Sequence, residues 1–119
     1  MDSAAFHAEV YDCVALIPYG KVTSYGHIAK LIGMPRNSRH VGQALKFLPH
    51  DTQIPWQRVI SSSGTISSRG PGTNGAQRQR EALEAEGVEV TPGRSGELRI
   101  NLAEYGWFPV TRPVEDEEA

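Results

Sequence analysis

Hydrophobic residues recur at helical spacing near the start of the chain. The first such segment begins at Ser3, a residue type that caps helices, and ends before Pro18. Its apolar positions are Phe6, Val10, Cys13 or Val14, and Ile17. Because these positions fall three or four residues apart, the pattern predicts an amphipathic helix with one buried face.

Two shorter helices are predicted directly after it. Ser24 is the expected N-cap of the second helix, which ends near Gly33. Ser38 is the expected N-cap of the third helix, which runs to about Leu48 and stops at Pro49. Two short helices joined by a tight turn that contains glycine predict a helix-turn-helix.

The third helix carries two different stripes. Its apolar stripe consists of Val41, Leu45 and Leu48, and its polar, cationic stripe consists of Arg39, Gly42, Gln43 and Lys46. Glycine within a helix costs about 1 kcal/mol relative to alanine. Two explanations fit Gly42: a sugar or backbone of a ligand approaches it closely, or a neighbouring helix packs tightly against it.

The second half of the chain mixes short strands with one more helix. The predicted elements are strands at 57–60 and 65–66, a helix at 76–86 that ends at Gly87, and a hairpin-like pair at 88–90 and 97–102. We therefore expect one mainly helical α/β domain over 1–119, with an acidic disordered tail from about residue 111.

Composition excludes several classes of protein. The 119 residues are 39% hydrophobic, so a folded core is expected. No apolar run approaches the ~20 residues that span a bilayer, and the N-terminus has no features of a secretory signal. We expect an intracellular protein without membrane contact, in the nucleus of a eukaryote or the cytoplasm of a bacterium.

The net charge of −2 hides an asymmetry along the sequence. Residues 20–80 contain nine Lys or Arg and one acid, a net charge of +8, and both flanking segments are acidic. A polyanion is the natural partner of such a basic segment, provided that the segment forms one face of the fold.

Few residues are candidates for catalysis or metal binding. Cys13 lies on an apolar stripe without a basic neighbour, so we interpret it as a core residue. The four histidines lack the spacing of metal ligands, and we predict neither a metal nor a cofactor. Trp56 follows a proline within the basic segment, where it fits either the core or a base-stacking pocket.

Three ordered motifs carry a family resemblance: IPYGKVTSYG at 17–26, RHVGQAL at 39–45 and IPWQRVI at 54–60. From about residue 5 to 108, the chain resembles the DNA-binding domain of O6-alkylguanine-DNA alkyltransferases. That resemblance implies the alkyltransferase C-terminal-domain fold, a winged-helix or helix-turn-helix core with short strands.

The resemblance also implies that the reactive centre is lost. Trp56 stands where the family has its acceptor cysteine, Gln57 where it has the activating histidine, and Leu48 where it has a hinge asparagine. Glu86 matches the glutamate of the family's proton relay. Because an indole is a poor nucleophile without an adjacent base, the resemblance is to the non-catalytic alkyltransferase-like proteins, and we predict no enzyme activity.

Particular residues acquire roles through the same resemblance. Tyr25 is expected to crowd the 3′ phosphate of the target nucleotide, and Arg39 to fill the gap left in the base stack. Trp56 would line the pocket for the flipped base, with Arg69 facing the base. The full set of DNA- or lesion-binding residues is Tyr25, Arg39, Gly42, Gln43, Trp56, Arg58, Val59, Ser62, Arg69 and Tyr105.

The function implied is recognition of damage without repair. The expected partners are double-stranded DNA with O6-alkylguanine, which is bound by base flipping, and nucleotide excision repair proteins that receive the flagged lesion. We expect a monomer. The alternative is a helix-turn-helix transcriptional or architectural DNA-binding protein without lesion specificity, which explains the basic segment but leaves Trp56 and Arg69 only a packing role.

Overall fold

Short strands and helices alternate around two apolar cores. The computed structural model describes residues 2–66 and 74–113. In chain order the elements are α1 (Ser3–Val14), β1 (Thr23–Ser24), α2 (Tyr25–Leu31), α3 (Ser38–Lys46), a 3₁₀ helix (Trp56–Arg58), β2 (Val59–Ile60), α4 (Gly75–Ala85), β3 (Thr91–Pro92), β4 (Leu98–Arg99) and α5 (Leu102–Tyr105).

Helix α1 is capped one residue earlier than predicted. The side chain of Asp2, not Ser3, accepts a hydrogen bond of 2.8 Å from the amide of Ala5. The helix also ends earlier than its apolar pattern, at Val14. Ile17 nevertheless remains only 1% exposed, because a tight turn (Ile17 N to Val14 O, 3.1 Å) keeps it in the core.

Helices α2 and α3 form the predicted helix-turn-helix. The hydroxyl of Ser24 accepts a hydrogen bond of 3.0 Å from the amide of His27, which confirms Ser24 as the cap of α2. The predicted cap of α3 is wrong: Asn37 precedes the helix without a side-chain hydrogen bond, and Ser38 is already helical. Helix α3 ends at Lys46, two residues before the predicted Leu48.

A parallel strand pair joins the start of the helix-turn-helix to the segment after Trp56. Thr23 of β1 pairs with Val59 of β2, and Ser24 pairs with Ile60. The predicted strand at 57–60 is therefore half as long, since the residues from Trp56 to Arg58 form the 3₁₀ helix instead. The amide of Arg58 closes this turn by donating to Pro55 O at 3.0 Å.

The hydrophobic residues separate into two clusters. The first core contains the buried residues Phe6, Val10, Cys13, Val14, Ile17, Ile28, Ala29, Val41, Ala44, Leu45 and Val59. The second core contains Val22, Ile60, Ile66, Leu83, Val88, Val90 and Ile100. Since Val59 and Ile60 belong to different cores, strand β2 lies between the two. The predicted core position of Cys13 is confirmed, and burial raises the pKa of its thiol, which disfavours a reactive thiolate.

The predicted helix at 76–86 is confirmed as α4, with Gly87 behind it at φ +88°. The hairpin that follows pairs other residues than expected: Thr91–Pro92 with Leu98–Arg99, in antiparallel register. Val88 and Val90, which we predicted in a strand, are buried in the second core and make no ladder.

The segment after α5 returns across the first two helices. Pro109 O lies 2.7 Å from Nε2 of His27 on α2, and Arg112 forms an ion pair with Glu9 on α1. The predicted tail begins at 111, but residues 111–113 are described, and only 114–119 lie outside the described residues. Over the described ranges, no helix is long and apolar enough to cross a membrane.

Candidate nucleic-acid interface

The outer face of α3 carries unneutralised positive charge. Arg39, Gln43 and Lys46 are exposed on this helix. Within residues 2–66 and 74–113, neither Arg39 nor Lys46 has a carboxylate partner. The cationic stripe predicted for the third helix is therefore present on the surface, where it is available to an anionic ligand.

Gly42 lies in the middle of this helix, facing the ring of Tyr25 at the start of α2. A Cβ atom at Gly42 would lie 3.7 Å from Cε1 and 3.8 Å from Cδ1 of Tyr25, which is ordinary van der Waals contact. The protein's own packing therefore has room for a methyl group at this position. Of the two explanations for Gly42, close packing of a neighbouring helix is not needed.

Trp56 borders a small surface cavity next to the end of α3. The indole is half-buried and packs against the first core. The cavity has a volume of about 120 Å³ and is lined by Leu45, Lys46, Leu48, Pro49, His50, Trp56, Gly75 and Arg78. The structure thus brings Trp56 together with the cationic end of α3, as expected for a pocket beside a DNA-binding helix.

Arg78 of α4 covers this indole. Its guanidinium carbon lies 5.4 Å from the centre of the Trp56 ring, within the range of a cation–π contact. Sequence reasoning counted Arg78 among the bases of the basic segment but gave it no role.

The carboxylate of Glu86 binds three donors from two distant segments. Nε2 of Gln57 donates to one oxygen at 2.7 Å, Nε of Arg58 lies 3.0 and 3.1 Å from the two oxygens, and the amide of Gly20 donates at 2.8 Å. The side chain of Glu86 is only 6% exposed. Burial raises the pKa of this carboxyl, but the hydrogen bonds from Arg58, Gly20 and Gln57 outweigh it and hold the pKa below its ordinary value.

Arg58 makes two kinds of hydrogen bond inside the protein, through Nε and Nη1. Besides the pair with Glu86, Nη1 donates to the carbonyl of Ile17 at 2.7 Å, and the guanidinium lies 5.6 Å from the ring centre of Tyr19. Its side chain is 15% exposed. Arg58 therefore holds the loop after α1 against the 3₁₀ helix, and the DNA-binding role expected for it stays a prediction.

The lesion-binding roles expected for Val59 and Tyr105 stay predictions, and the structure places both residues against the hydrophobic cores. Val59 is fully buried in the first core, and its backbone pairs with Thr23. Tyr105 packs against the second core, whereas Trp56 packs against the first. Neither residue lines the cavity beside Trp56.

Of the two remaining candidates for DNA binding, Ser62 and Arg69, only Ser62 lies within the described residues. Ser62 is exposed in a turn whose other hydroxyls, from Ser61, Ser63 and Thr65, are hydrogen-bonded to one another. Arg69 lies outside the described residues. The role expected for Arg69 therefore stays a prediction.

Sequence reasoning missed Gln79, which is fully buried on α4. Its Nε2 donates to the carbonyls of Gln57, at 3.1 Å, and Val59, at 2.9 Å. These bonds fasten α4 to the segment that follows Trp56. The available signal was a polar residue four positions before Leu83, on the buried stripe of an otherwise charged helix. Across the part of the chain that is described, no cluster of three His, Cys, Asp or Glu forms a metal site.

The fold, with the helix-turn-helix of α2 and α3, is that of an alkyltransferase-type DNA-binding domain. Residues 5–88 match the family described as 6-O-methylguanine DNA methyltransferase, DNA binding domain, and the chain belongs to this family. Alkyltransferase-like protein 1 of Schizosaccharomyces pombe is 53% identical over 104 residues, which cover 87% of this chain and 95% of that protein. The DNA base-flipping protein of Escherichia coli is 50% identical over 103 residues, which cover 87% of this chain and 74% of that protein.

A solved structure agrees with this assignment. The crystal structure of S. pombe Atl1 in complex with damaged DNA containing O6-carboxymethylguanine superposes with a TM-score of 0.87 at 51% identity. The match covers 92% of this chain and all of that one. The resemblance inferred from the three sequence motifs is confirmed, as is the mainly helical fold with few short strands.

Proposed function

We propose that this protein binds duplex DNA containing an O6-alkylated guanine, turns the damaged nucleotide out of the helix, and holds it without removing the alkyl group. One observation carries the proposal: the cationic end of α3 and the indole of Trp56 line the same surface cavity. A helix that docks on DNA thereby lies directly beside an aromatic surface for an extruded base. The names of the relatives, a base-flipping protein and a protein solved with damaged DNA, support this reading.

Two residues of the helix-turn-helix are suited to opening the duplex. Arg39 is exposed at the start of α3, and its planar guanidinium can stack in the vacated position while it donates to the orphaned base. Tyr25 begins α2 next to Gly42, so its ring lies at the helix face that approaches the DNA. Because Gly42 has no side chain, the centre of α3 has no side-chain bulk between Arg39 and Tyr25.

The absence of alkyl transfer follows from the chemistry around Trp56. Activation of a nucleophile requires an adjacent base or a depressed pKa. The neighbour of Trp56 is Gln57, whose amide neither gains nor loses a proton, and its Nε2 already donates to Glu86. Cys13 is buried in the first core and far along the sequence from this cavity. The proposed role of Trp56 and Gln57 is therefore binding without reaction.

A bound lesion that undergoes no reaction persists, and persistence suits a signal for other proteins. We propose that the complex flags the lesion for nucleotide excision repair, with the protein acting as a monomer. The resemblance to the alkyltransferase-like proteins supports the proposal that the complex flags the lesion.

The proposal is tested by comparing affinities for duplexes that differ at one position, guanine or O6-methylguanine. We expect the wild-type protein to bind the lesion duplex at least tenfold more tightly, because lesions weaken pairing and lower the cost of extrusion. Arg39→Ala should remove most of this preference while the melting temperature stays within a few degrees. Equal wild-type affinity for the two duplexes would favour the alternative, a DNA-binding protein without lesion specificity.

The non-enzymatic part has a separate test. DNA with a radiolabelled O6-methyl group should transfer no label to the wild-type protein, nor efficiently to Trp56→Cys, because Gln57 remains as the neighbour in place of a base. Protein-bound label after denaturing electrophoresis is the measurement. Rapid labelling of Trp56→Cys would contradict our account of why the site is inert.

A further inference from the structure

Arg78 differs from the other arginines that have partners in the described structure. Arg58, Arg80, Arg99 and Arg112 each form an ion pair with a glutamate. Over residues 2–66 and 74–113, Arg78 has no carboxylate within ion-pair distance. Its guanidinium instead lies over the indole of Trp56, at 5.4 Å. The ring satisfies the face of the guanidinium but none of its N–H groups, which lie in the guanidinium plane.

The cavity that Arg78 lines contains further positive charge and no acid. Lys46 ends α3 at the cavity and is exposed without an acidic partner among the described residues. His50 lies on the same wall, and none of the described residues that line the cavity is an Asp or Glu. Because Lys46 and Arg78 line the same cavity, an anion that binds there is attracted by both charges.

The size of the cavity sets what can fill it. Its volume of about 120 Å³ corresponds to roughly four water molecules at about 30 Å³ each. A carboxylate or a phosphate group fits this space. The space beside Arg78 can therefore hold one charged group of a larger ligand.

We propose that Arg78 and Lys46 form an anion subsite at the edge of Trp56, which binds an oxygen anion of the extruded nucleotide. The inference rests on the proposed function, since it assigns a place to one part of the flipped lesion. Two sources supply the same chemistry: a phosphate that flanks the target, or a carboxylate at the end of the O6 substituent. In both, Arg78 donates charge-assisted hydrogen bonds while it stays stacked on the indole.

The experiment measures binding to duplexes that carry one modified position. The modifications are O6-methylguanine, O6-carboxymethylguanine and its uncharged analogue O6-carbamoylmethylguanine. A further duplex has O6-methylguanine between two uncharged methylphosphonates. The variant is Arg78→Gln, and the matched control is Arg80→Gln, on the same helix but paired with Glu84. Lys46→Gln is the second variant, at an exposed site on a different helix, α3.

Two results support the subsite and identify its ligand. If the carboxylate is bound, Arg78→Gln weakens the carboxymethyl duplex about tenfold and leaves the carbamoylmethyl duplex unchanged. If a phosphate is bound, Arg78→Gln weakens every lesion duplex about tenfold, and the loss disappears with the methylphosphonates. Lys46→Gln should follow the same pattern.

The opposing results are equally distinct. If Arg78→Gln and Arg80→Gln behave alike on every duplex, or if the loss persists with both charges removed, there is no anion subsite. Those outcomes leave the proposed function intact as long as the wild-type protein prefers O6-methylguanine to guanine. Loss of that wild-type preference overturns the proposed function, and the inference with it.

Discussion

Three donors converge on the carboxylate of Glu86, from Gly20, Gln57 and Arg58. In a relay, such a carboxylate orients a histidine that exchanges protons. Here the group between Glu86 and the position of Trp56 is an amide, so the carboxylate orients without transferring a proton. What remains is a structural junction, in which one buried charge holds the loop after α1, the 3₁₀ helix and the end of α4 together.

This junction makes stability depend on pH. Because the folded-state pKa of Glu86 is depressed, its stabilisation is fully present above the ordinary carboxyl pKa of 4.5 and is lost as the pH falls through the folded-state value. We expect Glu86→Gln to lower the free energy of unfolding at pH 7 by about 2 kcal/mol and to flatten its fall below pH 5.

Urea unfolding at several pH values measures both effects of Glu86→Gln. Glu84→Gln is the control, because that carboxylate is 44% exposed in its pair with Arg80 and should change stability little. An unaltered acid profile in Glu86→Gln would show that other carboxyls dominate.

Gly42 offers a prediction in which stability and binding move in opposite directions. Gly42→Ala should raise the free energy of unfolding by about 0.5–1 kcal/mol, since alanine favours the helix and the structure has room for its methyl group. The same methyl group should weaken binding to the lesion duplex about tenfold by holding the helix away from the DNA.

Thermal melts and fluorescence anisotropy separate these two effects. Gly26→Ala in α2 is the matched control, because its nearest neighbour would lie 4.0 Å from the new Cβ. It should gain stability without losing affinity. A Gly42→Ala protein that binds DNA as well as the wild type would contradict the close approach of α3.

At the scale of elements, the helices were largely predictable and the strands were not. Apolar spacing located α1, α2, α3 and α4, because a helix repeats its pattern over several turns. Each strand has only two residues, too few for any periodicity, so β1 was missed altogether. Cap positions shifted by one residue where two capping residue types stand side by side, as Asp2 and Ser3 do.

The turn after β2 carries a prediction about backbone strain. Gly64 has φ +85°, and a Cβ there would lie 2.9 Å from the carbonyl oxygen of Ile100; Gly33 has φ +82° with nothing within 4 Å. Gly33→Ala should therefore lower the free energy of unfolding by about 1 kcal/mol, the strain of alanine in the left-handed conformation. Gly64→Ala adds a clash with the backbone, so it should lower the free energy of unfolding clearly more than Gly33→Ala does.

Chemical denaturation of the two variants gives the difference directly. The amide of Ile100 donates a hydrogen bond of 2.8 Å to Gly64 O. This bond opposes movement of the Ile100 backbone away from a new Cβ at Gly64. Equal destabilisation of Gly33→Ala and Gly64→Ala would mean that the turn relaxes freely.

Across the whole molecule, the site was predictable only where its residues lie near one another in the sequence. The motifs around Arg39 and Trp56 identified the helix and the cavity. The contacts of Arg58 and Val59 were not predictable because their surroundings come from afar: Arg58 meets Glu86 28 positions away, and Val59 pairs with Thr23. Which of two neighbouring side chains faces a cavity depends on such distant contacts, and no local pattern carries them.

The uneven distribution of charge predicts a salt dependence. Because bound cations release counterions from DNA, the logarithm of affinity should fall linearly with the logarithm of salt concentration, with a slope of about −0.9 per neutralised phosphate. Lys46→Ala should make the slope shallower by about 0.9. Arg94→Ala, in the hairpin outside the basic segment, should leave it unchanged.

Titrations from 50 to 200 mM salt cover the range in which phosphate contacts change affinity strongly. An identical slope for Lys46→Ala and the wild type would place Lys46 away from the phosphates, although it lies on the outer face of α3.

The two rungs between β1 and β2 have a mechanical consequence. Ser24 both pairs with Ile60 and caps α2. The beginning of the helix-turn-helix is therefore joined directly to the strand that follows Trp56. The spacing between the docking helices and the indole is thus built into the backbone before any DNA arrives. Because this strand pair joins the two sides of the site, binding requires displacement of the nucleotide and not of the docking helices relative to Trp56.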